Sequence, residues 1–380
     1  MNPILTRWAC ASLAGLALLA TGCGPSADSN VIKIGEYASL TGKEATFGQS
    51  SHNGTALAID ELKAAGGLLG KSIELITEDN QSKAGESQTV VNKLIARDGV
   101  VAILGEVASS RSLEAAPVCQ NAGIPMISPS STNPDVTRTG DFIFRVCFID
   151  PFQGTVMADF AKKTLKVKNV AVFTDVKSDY SKGLAKFFKE RHLANGGKIV
   201  AEFDFNGGDT DFKAQLTAIK GTQPEAVFVP GYYTDVALIC IQAKQLGLTV
   251  PLFGGDGWES DKLIEIGRDA VEGQHFSTHY HPDVGTDKSR RFVEAYKKRY
   301  GAAPDAMAAL GYDSAMILAD AIRRANSTEA TKIRDALATL KDFDAVTGRI
   351  TIDPNRDASK AAVILQVEGG KFKYLETVTP

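Results

Sequence analysis

The chain has 380 residues, 44% hydrophobic and 23% charged, which excludes a disordered polypeptide and supplies apolar material for two cores. With 42 Lys and Arg against 45 Asp and Glu, the formal net charge is −3. No basic surface follows from that balance, which argues against nucleic acid as a partner.

In chain order, Arg7 precedes an uncharged stretch over residues 8–20 that ends in small residues and a cysteine. Such a stretch is too short to span a bilayer and fits the apolar core of an export signal. Ala20-Thr21-Gly22-Cys23 resembles a bacterial lipobox, so residues 1–22 are expected to be a signal peptide, Cys23 the lipidated residue and 23–30 a flexible tether. Cys10 falls in the signal. Cys119, Cys147 and Cys240 then face an oxidising compartment, where Cys119 and Cys147, closest in sequence, could pair; three buried, inert thiols are the alternative.

From residue 31 onward, short β-branched runs alternate with helical stretches. Strands are predicted at 31–34, 72–77, 100–104 and 125–127, with helices near 48–65, 83–97 and 109–121 between them. The pattern repeats with strands at 169–173, 198–203, 226–229 and 252–254 and helices near 180–195, 211–221 and 234–246. A strand at 274–278, helices near 286–300, 307–325 and 330–340, a strand at 350–352 and a hairpin around Gly369-Gly370 complete the chain. Strict alternation forces parallel sheets with helices on both faces. The expected architecture is α/β, with two doubly wound lobes: residues 31–150 with 279–347, and residues 151–278 with 348–380. Three crossings, at Asp150-Pro151, His279–Pro282 and Thr347-Gly348, would form a hinge that permits closure on a ligand.

Two segments mark one wall of a ligand site. Gly105–Ser112 follows a buried strand and opens a helix, where free N–H groups and the helix dipole favour an anion. Ile127–Pro134 sits at the carboxyl edge of the next strand and is rich in hydroxyls. In the second half, Tyr180, Tyr232 and Asp256 occupy equivalent strand ends, and a carboxylate there could hold an ammonium group. A carboxylate receptor facing an ammonium receptor describes a clamp for an α-amino acid. The sequence holds no G-x-x-x-x-G-K-[ST], H-E-x-x-H, G-x-S-x-G or C-x-x-C pattern. His275, His279 and His281 share one face of an extended strand, but without a cysteine companion they suit the domain crossing better than a metal, and no metal or cofactor is expected.

With these segments in view, the chain resembles the periplasmic branched-chain amino acid-binding proteins, the type I substrate-binding components of ABC transporters. The resemblance rests on Ile34-Gly35 with Leu40-Thr41-Gly42, residues 45–49, 105–110 and 125–134, Phe144-Arg145 with 150–154, Asp175 with Tyr180, Gly231-Tyr232-Tyr233 and Gly311-Tyr312-Asp313, in that order. It implies two Rossmann-like lobes joined by three crossings and no enzymatic reaction. It further implies that Ser109, Ser130 and Thr132 hold the ligand carboxylate, that Tyr180, Tyr232 and Asp256 hold its ammonium, and that Phe47, Trp258 and Tyr312 border the side-chain pocket. Asp256 stands where the aliphatic binders often carry Glu, Phe47 where Tyr is common, and Ala108 where some members have a disulfide cysteine. The implied protein is a lipid-anchored monomer of the bacterial periplasm that delivers an L-amino acid, aliphatic or branched, to an ABC permease. The alternatives are a receptor of the same fold for amides, urea or a chemosensory ligand, and, from another class, an α/β hydrolase using Ser109 or Ser110.

Overall fold

The computed structural model describes residues 30–283 and 285–380; the signal, Cys10, Cys23 and the tether lie outside them, apart from Asn30. The first βα series comprises β1 (Val31–Ala38), α1 (Ala45–Ala64), β2 (Ser72–Asp79), α2 (Glu86–Lys93), β3 (Ile103–Leu104), α3 (Ser109–Ala122), β4 (Met126–Ser128), α4 (Asp135–Arg138) and β5 (Ile143–Arg145). Its strands form a parallel sheet in the order β2-β1-β3-β4-β5. The second series runs α5 (Asp150–Lys163), β6 (Asn169–Asp175), α6 (Asp179–Ala194), β7 (Lys198–Phe205), α7 (Lys213–Gly221), β8 (Ala226–Phe228), α8 (Tyr233–Gln245), β9 (Leu252–Gly254), α9 (Asp261–Gly267) and β10 (His275–Thr278).

The chain then forms α10 (Asp287–Tyr300), α11 (Ala306–Ala325), α12 (Ala330–Ala338), β11 (Phe343–Ala345), β12 (Gly348–Ile352) and β13 (Ala358–Ser359). It closes with the hairpin β14 (Ala362–Glu368) and β15 (Lys371–Val378). That hairpin extends the second sheet, ordered β15-β14-β10-β9-β8-β6-β7, antiparallel at its near edge. Gly369 and Gly370 turn it with φ of 62° and 68°, a conformation that glycine adopts without a side-chain clash.

Alternate residues along the first-lobe strands face opposite cores. Ile34, Leu104, Ile127 and Phe144 pack with α1, α10 and α11, while Tyr37, Ile103, Met126 and Ile143 pack with α2 and α3. In the helix pair α1 and α11, a Cβ on Gly54 would meet the Ala308 carbonyl and one on Gly311 the Ser51 carbonyl. Glycine at both positions lets the two backbones approach this closely.

Three features differ from the expectation. Helix α5 was not foreseen, because Asp150-Pro151 reads as a break; proline is tolerated in the first helical turn, where its missing N–H has no partner to lose. The third crossing falls after Ser359 rather than at Thr347-Gly348, since Ile350, Ile352 and Ala358 bury themselves in the first-lobe core whereas Ala362 and Ile364 join the second. Cys119 and Cys147 do not pair. Both are buried as free thiols on opposite faces of the first sheet, and Cys147 Sγ donates to the Ser131 carbonyl at 3.4 Å. Cys240 is likewise free and buried. Among the described residues no helix is long and apolar enough to cross a membrane.

Candidate functional site

On the first lobe, the loop after β3 and the loop after β4 are stitched to each other by hydroxyls. Ser128 Oγ and Ser131 Oγ donate to the Glu106 carbonyl at 2.8 and 2.9 Å, and Ser131 Oγ lies 2.7 Å from Ser112 Oγ. Ser109, the first residue of α3, accepts from the Asn133 N–H at 3.2 Å. Behind them the fully buried Arg145 guanidinium donates to the Ser131 and Asn133 carbonyls and pairs with Asp357 at 2.7 Å. Planar guanidinium donors suit this fixed array of carbonyls. The wall therefore presents Ser109, Ser130 and Thr132 in a set geometry, and the buried Thr132 hydroxyl has no hydrogen-bond partner.

The second lobe presents Tyr180 from the first turn of α6, Tyr232 just before α8 and Asp256 after β9. The two phenol rings stack at 5.3 Å with 5° between their planes, and the Gly257 N–H donates to Tyr180 Oη at 3.1 Å. Burial pushes both phenols well up from their ordinary value, helped at Tyr180 by the Asp256 charge, so both remain neutral donors. Asp256 accepts from Gln153 Nε2 at 2.8 Å on one oxygen and from His279 Nε2 at 2.9 Å on the other. Gln153 Nε2 also reaches Ser277 Oγ at 3.0 Å.

The two walls meet. Ser130 Oγ stands 3.5 Å from Asp256 Oδ2 and 3.3 Å from His279 Nε2. Around this meeting point lie buried polar atoms without partners: both Asp150 carboxyl oxygens, Gln153 Oε1, Thr132 Oγ1 and His279 Nδ1. Burial pushes Asp150 up to about 8, so this carboxyl keeps its proton at neutral pH. Direct contacts between lobes flank the site. Ser110 Oγ donates to Asp179 Oδ2 at 2.9 Å, Asn133 Nδ2 to the Asp179 carbonyl at 2.8 Å, and Tyr233 Oη to the Lys43 carbonyl at 2.9 Å. The cleft is closed.

Of the expected pocket residues, Phe47 reaches from α1 into the second lobe, edge-on to Tyr232 at 5.5 Å and Tyr233 at 4.8 Å. Trp258 is fully buried in the second-lobe core, its indole N–H donating to the Val229 carbonyl at 2.8 Å, so it props the Asp256 turn from behind. Tyr312 does not join the site: its hydroxyl donates to Glu61 at 2.6 Å and its ring packs on Phe292 in the first-lobe core, where α11 lies along α1. The three histidines separate. His275 lies against Phe160, His281 near Asp283, and only His279 enters the cleft; no group of three potential metal ligands forms among the described residues. Sequence reasoning missed Asp150, Gln153 and His279 as site residues, although Gln153 lay inside the 150–154 segment singled out by resemblance.

A fold of two parallel-sheet lobes with facing strand-end loops is that of the type I periplasmic binding proteins. The chain belongs to the periplasmic binding protein family, whose profile matches residues 31–371. A leucine-binding protein LivK from Thermotoga maritima superposes with a TM-score of 0.89 at 42% identity, covering 92% of this chain and 99% of that one. The branched-chain amino acid transporter substrate-binding protein LivJ from Streptococcus pneumoniae, in complex with isoleucine, gives 0.87 at 36% identity, over 92% and 100% of the two chains. A Leu/Ile/Val-binding protein, BraC3 of Rhizobium johnstonii, is 31% identical over 91% of this chain and 94% of its own.

Proposed function

We propose that this protein captures an L-α-amino acid with an aliphatic, branched side chain between its lobes and delivers it to an ABC permease, held at the outer face of the membrane by lipid on Cys23. The observation that carries the reading is the convergence of Ser130 and Asp256 from opposite lobes to 3.5 Å, ringed by buried polar atoms that lack partners. Hydroxyls and helix N–H groups on one side suit a carboxylate, and Asp256 with two neutral phenols on the other suits an ammonium. The relatives named for leucine, isoleucine and valine supply the side-chain class. Phe47, inserted between the lobes, offers an apolar surface of the same character. The three crossings act as the hinge, and a ligand touching both walls favours the closed form.

A serine hydrolase would need its histidine to meet serine with one nitrogen and the acid with the other. Here His279 Nε2 meets both Ser130 and Asp256, and Nδ1 meets nothing. Binding without turnover is the reading this geometry favours. Calorimetric titration of the protein, stripped of carried-over ligand by unfolding and refolding, tests it against the twenty L-amino acids. One-to-one saturable binding of leucine, isoleucine or valine is expected; no heat from any amino acid with a folded sample would overturn it.

A further inference from the structure

Asp256 is the one carboxylate expected to meet the ligand's ammonium, and its two oxygens are already engaged by Gln153 and His279. His279 does not belong to either wall. It directly follows β10 in the second crossing between the lobes, and its ring stacks on Phe148 of the first crossing, with centroids 3.8 Å apart and 28° between planes. Lys360, buried between β13 and β14 in the third crossing, adds a positive charge to its surroundings. One imidazole thus touches the ligand-facing carboxylate and joins the first crossing to the second.

Its protonation state follows from its contacts. Nε2 faces a carboxylate oxygen at 2.9 Å and so carries the ring proton, whereas Nδ1 is buried without a partner. An unpaired lone pair there costs something, but a second unpaired N–H would also bury a positive charge, which costs more. Burial holds this histidine below its ordinary value of 6.5 despite the pull of Asp256, and Lys360 acts in the same direction as burial. The other titratable groups around the cluster are Asp150, which is held protonated, Tyr180 and Cys147, which stay neutral, and Glu259, whose carboxyl beside Thr278 is pushed up to about 8 by burial.

We propose that His279 is a positioning residue for the ligand: a neutral imidazole, carried by the hinge, that aims the Asp256 carboxylate at the ligand's ammonium and must stay uncharged for the ligand to bind. An imidazolium would neutralise Asp256 and place a second cation beside the ammonium inside a closed cleft. Where acidification has charged His279 in the free protein, ligand binding must expel that proton, so affinity falls on acidification. This inference rests on the amino-acid reading above.

The test is the pH profile of leucine affinity for wild type, His279→Gln and His279→Leu, each checked for folding by circular dichroism. Binding by the wild type at pH 7.5 tests the reading itself, and its absence would overturn both reading and inference. Given that binding, the inference predicts that affinity falls as pH is lowered from 7.5 to 5.0, because an imidazolium must lose its proton before the ligand can bind. Glutamine presents an N–H in place of Nε2 but does not titrate. His279→Gln is expected to recover most of the affinity that His279→Leu loses at pH 7.5, and its profile lacks the acid loss of the wild type. Dividing one profile by the other cancels every other titrating group. An acid loss equal in wild type and His279→Gln would overturn the proposal, as would wild-type affinity in His279→Leu. Should neither variant fold, an NMR titration of the wild-type imidazole decides: its pKa must drop when leucine is added, and an unchanged value refutes the proposal.

Discussion

On the first-lobe wall of the cleft, the serines that stitch the two loops bond to residues 19 to 25 positions away, from Ser131–Ser112 to Ser131–Glu106. On the second-lobe wall, Asp256 takes its support from Gln153, 103 positions away, and the Gly257 N–H reaches Tyr180 across 77. The difference has a functional counterpart. Ser109, Ser130 and Thr132 belong to a wall whose neighbouring serines, Ser112, Ser128 and Ser131, bond within the same lobe. Asp256 is held by Gln153 of α5 and by His279 of the second crossing. On the amino-acid reading, the first wall is expected to act as a preformed receptor and the second to be completed by closure.

The contrast is broken most sharply at Asp256. Replacing it by alanine leaves the ligand ammonium without its counter-charge inside a closed cleft, which costs about 3–5 kcal/mol. Calorimetry should show leucine affinity down by several hundredfold or more. Unchanged affinity would mean that the second wall does not carry the ammonium.

How far the sequence revealed this site follows the same division. A helix N-terminus directly after a buried strand is a local pattern, so segment 105–112 could be singled out from the chain alone, as could the hydroxyl-rich 127–134 and the alternation that dictates the two sheets, whereas Ser109, Ser130 and Thr132 within them were named by resemblance. Asp256 was legible too, because it ends a strand. Gln153 and His279 were not, since nothing in their neighbours records that α5 and the second crossing converge on Asp256. Tyr312 misled for a related reason. A tyrosine on an apolar helix reads equally well as pocket or core, and only the tertiary contact with Glu61 decides between them.

Asp150 sits between the walls and gives the next largest effect. It is protonated in the folded protein up to about pH 8, but the unfolded chain ionises it above its ordinary 3.8. The folded form therefore binds the extra proton, and this contribution to stability is fully present below 3.8 and is lost as pH rises towards 8. Asp150→Asn cannot ionise. Its stability relative to the wild type should rise by about 4 kcal/mol between pH 5 and pH 9. Denaturant melts of the two proteins at both pH values measure that gap directly. Glu106 and Glu259, which burial holds up to about 7 and 8, titrate in both proteins and cancel in the difference. A constant gap across pH would show that Asp150 is already ionised in the fold.

Ser109→Ala probes the preformed wall and should do less. The hydroxyl it removes is one donor among several, and the backbone N–H groups at the start of α3 remain. The expected loss is about 1–2 kcal/mol of leucine binding, close to tenfold, without the pH dependence that marks the other wall. The same substitution removes the acceptor for the Asn133 N–H, so the loop after β4 gains mobility in proportion. Comparing affinities for leucine and for leucinamide, which lacks the carboxylate, separates the two contributions. A lost carboxylate donor narrows the preference for leucine over the amide, whereas a loosened loop weakens both ligands alike. An effect as large as that of Asp256→Ala would show that the first wall, too, depends on a single side chain rather than on the array around it.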